Sequence, residues 1–180
     1  MFKIREITLV GVFVALLSVF SQVSIPTPIL VPINLGLLGV FFIGSMLRRK
    51  LSIMVILIYL LVGAIGIPVF SNFGGGIGHL FGPTGGFLFG YLIAVIVIGY
   101  IEHKKPKDLT RNVSILLYFI TFFVATMITY FVGSFWLAFV NNTDFLTTFK
   151  SIFLGFILVD LIKITIGSLI IFDLKRILNK

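Results

Sequence analysis

The chain has 180 residues, of which 59% are hydrophobic and 11% charged, with a formal net charge of +8 and a mean hydropathy of +1.21. A single core of that size cannot hide so much apolar surface from water, whereas lipid can, so a soluble domain is excluded and an integral membrane protein is expected. There is no cysteine, hence no disulfide framework, thiolate metal site or cysteine nucleophile, and the basic residues sit in short clusters between apolar runs, which reads as topology control and headgroup contact, not as a nucleic-acid surface.

Six apolar segments can be marked, at about residues 7–23, 34–47, 51–69, 84–101, 113–140 and 149–172. The first follows Lys3, Arg5 and Glu6 but has no small-residue cleavage site, so it reads as a span and not as a cleavable signal. It carries Gly11-x-x-x-Ala15, a spacing that permits close helix contact, either inside the protein or with a partner subunit. The connection over 24–33 holds Pro26, Pro28 and Pro32, which fix φ and predict an extended or turned stretch. The second segment is short and is expected either to tilt little or to begin inside the protein, away from the lipid surface. The connection over 66–86 is rich in glycine yet apolar, with Phe70, Phe73, Ile77, Leu80 and Phe81 among the glycines. Such backbone is tolerated at a membrane edge where it packs in protein or lines a cavity. The fifth segment overshoots the roughly 20 helical residues that a bilayer core needs.

The basic clusters predict the topology. Lys3 and Arg5 precede the first segment; Arg48, Arg49 and Lys50 lie between the second and third; Lys104, Lys105, Lys107 and Arg111 lie between the fourth and fifth; Lys175, Arg176 and Lys180 follow the sixth. With six spans all fall on one side, leaving Lys150, Asp144 and His79 on the other, and the positive-inside rule puts both termini in the cytoplasm. An odd number of spans would scatter the clusters over both faces. The expected fold is thus an all-α integral membrane protein of six transmembrane helices, one domain over 1–180, with no linker and no internal repeat.

Asp160 and Lys163 carry the chemistry. They interrupt the last apolar segment at i, i+3 and so share a helix face. A charge at bilayer depth costs roughly 2.5–3.5 kcal/mol, so both are expected to face the protein interior. They form either a structural ion pair that pins helices or a site for a polar solute, and intramembrane ionisable residues point to the second. Gly74-Gly75-Gly76 and Gly82-Pro83-Thr84-Gly85-Gly86 lack the Lys-Ser or Lys-Thr of a nucleotide loop. They suit a backbone that closely approaches a ligand or neighbouring helices, or a compact plug with no ligand. His79 and His103 each lack a second ligand nearby, and no zinc-protease or serine-elbow spacing occurs, so neither a metal site, a catalytic residue nor an enzyme is expected. Tyr130 and Trp136 suit an interface or a core as well as a binding role.

Five stretches together point further: Gly66-Ile67-Pro68-Val69-Phe70, Gly74-Gly75-Gly76, Leu80-Phe81-Gly82-Pro83-Thr84-Gly85-Gly86-Phe87, Val31-Pro32-Ile33-Asn34-Leu35 and Asp160-Leu161-Ile162-Lys163. They resemble the BioY family, the biotin-specific substrate-binding subunits (S components) of energy-coupling factor (ECF) transporters. The resemblance implies an S-component-like six-helix bundle, multi-pass in the bacterial plasma (inner) membrane, that captures biotin from outside. It implies a pocket near the outer face, capped by the loops after the first and third spans. Asp160 and Lys163 would belong to that site, bordered by Gly74, Gly75, Gly76 and Phe87, with Phe70, Phe73 and Tyr91 able to line the ligand's apolar parts. It also implies a coupling membrane subunit, facing Gly11 and Ala15, and two ATPase subunits that hydrolyse ATP, so that this chain needs no cofactor. A carboxylate can accept the urea N–H groups of biotin, and a lysine can meet either the urea carbonyl or the tail carboxylate. Some family members carry a polar residue in the glycine run, an Arg after the Gly-Gly-aromatic and a Gln after the Leu35 position; here Gly74, Leu88, Gly36 and Leu37 stand at these places. The rival readings are a transporter of another small solute and a ligand-free structural subunit.

Overall fold

The computed structural model describes residues 3–28, 31–106 and 109–178; Lys107 and Lys180 of the expected basic clusters lie outside the described residues. In chain order it has α1 (Ile4–Gln22), β1 (Ser24–Ile25), β2 (Ile33–Asn34), α2 (Gly36–Met46), α3 (Arg49–Ala64), a short 3-10 turn (Ser71–Phe73), α4 (Ile77–Leu80), α5 (Gly85–Lys104), α6 (Arg111–Asn141) and α7 (Phe145–Leu178). Each expected apolar segment therefore holds a helix, and the glycine-rich connection adds the single turn of α4. Among its described residues the proline-rich connection is extended at its ends and turned at Pro28, within the expected extended or turned stretch. Its two ends pair as a minimal antiparallel ladder, Ser24 with Asn34 and Ile25 with Ile33.

Two boundaries differ from expectation. The third segment leaves the helix at Ala64, because Gly66 takes φ +103°, which a side chain disfavours, and Pro68 follows. The last two helices extend beyond their apolar segments and run 31 and 34 residues, or about 46 and 51 Å at 1.5 Å per residue. Between them Asn142 turns the chain in the left-handed conformation (φ +53°), and Asp144 Oδ2 accepts from Thr147 N at 2.8 Å, opening α7. α1, α5, α6 and α7 are long and apolar enough to cross a membrane; α2 has 11 residues and α3 has 16.

The helices run back and forth between two distinct ends. At one end Arg48 lies 3.9 Å from Glu6, Lys175 pairs with Glu102, and the Lys105 ammonium sits 3.8 Å from the Tyr118 ring centre. The start of α1, the α2–α3 turn, the α5–α6 connection and the end of α7 thus gather the described basic clusters on one face. At the other end Gln22 donates to Pro68 O at 2.5 Å and Trp136 to Gly82 O at 2.9 Å. α2 is the axis: it is buried along most of its length, packs against α1, α5 and α7, and stacks Phe41 on Phe122 of α6 at 4.3 Å. A helix that is apolar all round belongs at such a centre.

α1 lies at the periphery. Gly11 and Ala15 are exposed, and a Cβ added to Gly11 would meet nothing within 4 Å. Of the two uses expected for their spacing, internal packing is therefore excluded among the described residues. The glycine that does serve close packing is Gly63, where a Cβ would run into the Phe70 ring. Phe70 is fully buried there, edge-on to Tyr59 at 5.3 Å. Gly63→Val should destabilise the protein by about 1–3 kcal/mol through overpacking, read as a lower thermal midpoint in detergent, while Gly11→Ala, in open space on a helix, should not lower that midpoint.

Candidate functional site

Asp160 lies in α7 fifteen residues from its start and is 4% exposed; Lys163, one turn on, is 7% exposed. The Lys163 ammonium stands 2.5 Å from Asp160 Oδ1. The pair does not satisfy itself alone. Tyr130 of α6 donates its hydroxyl to Asp160 Oδ2, and Lys163 donates to the backbone carbonyl of Asn34 at 2.7 Å. An ammonium has three donors, so one N–H of Lys163 has no protein acceptor among the described residues.

Asn34 joins three parts of the structure. Its Oδ1 accepts from Gly36 N at 2.8 Å, turning β2 into α2. Its Nδ2 donates to Ser71 Oγ at 2.6 Å, tying in the 3-10 turn, while its carbonyl holds Lys163. Tyr91 of α5 reaches the same Oδ1 at 3.4 Å. The crowding explains Gly36: a Cβ there would stand 2.7 Å from the Tyr91 hydroxyl and 2.9 Å from Asn34 Oδ1 and Ser21 Oγ.

These groups open onto a cavity of about 50 Å³, lined on its polar side by Asn34, Tyr91, Thr129, Tyr130, Asp160 and Lys163, and on its apolar side by Val31, Leu37, Phe87 and Phe156. It lies where two apolar clusters meet, since Leu37 and Tyr91 belong to the main core and Val31, Tyr130 and Phe156 to a smaller one. Mutual support of a carboxylate, an ammonium, two phenols and an amide around one space provides both donors and acceptors for a polar solute. The apolar wall beside them suits a ring or chain.

The expected site residues divide into two groups. Asp160, Lys163, Phe87 and Tyr91 line the cavity together. Phe70, Phe73, Gly74, Gly75 and Gly76 stand in the glycine-rich connection, outside the lining. Phe70 donates its N–H to Gly74 O at 3.0 Å and stacks on His79 at 5.4 Å; Gly76 N donates to Gly63 O at 2.7 Å. Side chains are excluded at two of these glycines: a Cβ on Gly74 would strike the His79 ring, and one on Gly75 would stand 2.7 Å from Ile67 O. Gly76 takes φ +91°. Phe73 is 68% exposed at φ +57°, an uncommon conformation for a bulky residue. His79 has a packing role, and burial pulls its imidazole below the ordinary pKa, favouring the neutral ring.

Two further site residues are not singled out by the sequence reading. Tyr130 is left open there between an interface, a core and a binding role, although a hydroxyl on the buried stripe of Phe122, Thr126 and Gly133 demands a partner. Asn34 enters only within one of the stretches that carry the family resemblance, although an amide just before an apolar helix is a known turn-former.

Comparison with known proteins agrees over the whole chain. Residues 1–180 match the BioY family. A protein of Pyrococcus horikoshii described as a probable biotin transporter BioY is 37% identical over 161 residues, covering 89% of this chain and 90% of that one. The biotin transporter BioY of Thermotoga maritima is 35% identical, covering 96% of this chain and 97% of its own length. The crystal structure of the S-component for biotin from an ECF-type ABC transporter superposes with a TM-score of 0.85 at 27% identity, over 96% of this chain and 92% of the other. A match over this length, joined to a shared fold, leaves one assignment: the chain belongs to the BioY family.

Proposed function

We propose that this protein captures biotin in the cavity beside Asp160 and Lys163 and delivers it as the substrate-binding subunit of an ECF-type transporter in the plasma membrane. The observation that carries the reading is the cavity itself. A ligand-free structural subunit needs no space beside a satisfied ion pair, whereas here the carboxylate, the ammonium and the Tyr130 phenol all border one. The family membership and the described function of the relatives favour biotin over another small solute.

In this reading Asp160 accepts the urea N–H groups of biotin, taking them in exchange for the Tyr130 hydroxyl. Lys163 turns its remaining N–H to the urea carbonyl or to the tail carboxylate. Phe87, Phe156 and Leu37 cover the thioether ring and chain. A cavity of about 50 Å³ is far smaller than the ~300–1,000 Å³ usual for small-molecule sites, so the cap must shift outward on binding. Asn34 connects that movement to the site, because it holds Ser71 of the cap and Lys163 at once. Phe70, Phe73 and Gly74–Gly76 then act from the cap.

The chain crosses the membrane six times as one domain, with both termini in the cytoplasm. Support comes from the collection of the described basic clusters at one end of the bundle, and from α2 and α3, too short alone for a full span in lipid but packed inside the bundle. The coupling subunit docks on the exposed Gly11–Ala15 face of α1, and a pair of ATPase subunits supplies the energy.

Three outcomes are expected. Asp160→Asn and Lys163→Met each weaken biotin binding by more than about 100-fold and destabilise by about 3–5 kcal/mol, since each strands a buried charge; the double variant recovers stability but not binding. Unchanged affinity for radiolabelled biotin in both single variants would remove the site assignment. Tyr130→Phe, which deletes from the unliganded site a hydrogen bond to a charged group worth about 1.5–3 kcal/mol, strengthens biotin binding by about tenfold or more, since the ligand no longer displaces that hydroxyl, without changing the secondary structure measured by circular dichroism. In intact cells, Thr143→Cys reacts with a membrane-impermeant maleimide and Arg48→Cys reacts only after permeabilisation, a clean comparison in a chain with no native cysteine; the reverse pattern would invert the topology.

A further inference from the structure

Two adjoining grooves open at the cationic end of the bundle, far from Asp160. One, of about 610 Å³, lies between the α2–α3 turn, the start of α1 and the end of α5, with Arg48, Arg49, Lys50 and His103 on its walls. The other, of about 370 Å³, continues along the start of α1 past Lys3 and Arg5. They share Glu6, Met46, Leu47, Arg48 and Leu51.

We propose that these grooves bind the phosphate headgroup of an anionic phospholipid, with the phosphate on Arg48, Arg49 and Lys50 and the first acyl carbons on Met46, Leu47 and Leu51. The first argument is unbalanced charge. Both acids at the grooves are engaged: Glu6 accepts from Lys3 N at 3.1 Å and lies 3.9 Å from Arg48, and Glu102 pairs with Lys175. Among the described residues no ion pair engages Lys3, Arg5, Arg49 or Lys50. The second is their position. Arg48, Arg49 and Lys50 open α3, whose first turn holds no acid and no side-chain cap, so cations crowd the positive end of a helix dipole. A bound phosphate relieves that repulsion and meets the free N–H groups. The third is the mixed lining. Leu47 and Leu51 are buried in the groove floor at 9% and 5% exposure, while Ile4 and Ile7 of α1 are exposed beside it at 84% and 60%. An apolar floor at the end of apolar helices suits an amphiphile better than a free anion, and basic pockets of this kind at a membrane surface take lipid headgroups.

The test is native mass spectrometry of the full chain in neutral detergent with added phosphatidylglycerol, phosphatidylcholine or inorganic phosphate. Wild type should retain phosphatidylglycerol, with phosphatidylcholine at background. Arg49→Gln/Lys50→Gln should lower retention about tenfold or more, on the scale of about fivefold for each basic residue at an anionic surface. Lys150→Gln, at the opposite end, should change nothing. Gly99→Asp gives a second route that keeps every cation: Gly99 lines the larger groove and a Cβ there stands 3.3 Å from the Arg49 stem, so the new carboxylate adds negative charge to the groove wall and should lower retention too. Equal retention by wild type and both variants, with unchanged thermal midpoints, would overturn the proposal, as would equal retention of phosphatidylcholine. Displacement of the lipid by millimolar inorganic phosphate would assign the groove to free phosphate and overturn the lipid.

Discussion

A carboxylate and an ammonium held together inside an apolar bundle set the conditions that the rest of the structure meets. Removing each ion from water costs several kcal/mol even after relaxation, and their mutual attraction offsets this only when the remaining donors and acceptors are also satisfied. Asp160 and Lys163 need Tyr130 and the Asn34 carbonyl for that reason. Those partners come from α6 and from Asn34, the last residue of β2 just ahead of α2, so satisfying one ion pair fixes the entry to α2, α6 and α7 relative to one another. The same demand reaches the cap, because Asn34 is also held by Ser71.

With lipid outside, apolar side chains gain little from meeting one another, and tight packing must do more. The glycines answer that need at particular contacts. Gly133 leaves room for the Phe87 ring and Gly86 for Trp136, which brings α5 against α6. Gly36 lets the start of α2 approach Tyr91, and a Cβ on Gly167 would stand 3.2 Å from the Leu38 side chain, so the glycine lets α7 lie close to α2. The walls of the cavity are therefore placed by backbone proximity, and its polar contents by the ion pair.

Much of this was legible in the residues. The apolar segments located the helices because lipid demands a nearly unbroken run, and the basic clusters foretold a charged end. Asp160 and Lys163 stood out because charge in such a run is costly. Other features depend on three-dimensional neighbours and left a weaker trace. The end of α3 at Ala64 is set by the positive φ of Gly66, and the run Gly66-Ile67-Pro68 continues the apolar pattern without showing it. Tyr130 is thirty residues from Asp160, and nothing local reveals which buried hydroxyl meets a carboxylate. The cap glycines looked like ligand contacts because the sequence shows that a side chain is excluded but not what excludes it; at Gly74 it is His79.

The arrangement around Asp160 also bears on selectivity. Both carboxylate oxygens already have donors, Lys163 on one and Tyr130 on the other. A solute that displaces Tyr130 must bring a donor of its own, or it leaves a buried carboxylate oxygen short of a hydrogen bond at about 1–3 kcal/mol. A cyclic urea has two such donors and a carbonyl for the remaining N–H of Lys163. An apolar acid of similar size has neither. A site built from satisfied polar groups rejects the analogue that lacks a group far more strongly than an apolar wall rejects a change of one methylene. With biotin bound as proposed, discrimination resides in the Asp160–Tyr130–Lys163 cluster, while Phe87, Phe156 and Leu37 contribute affinity with little power to choose.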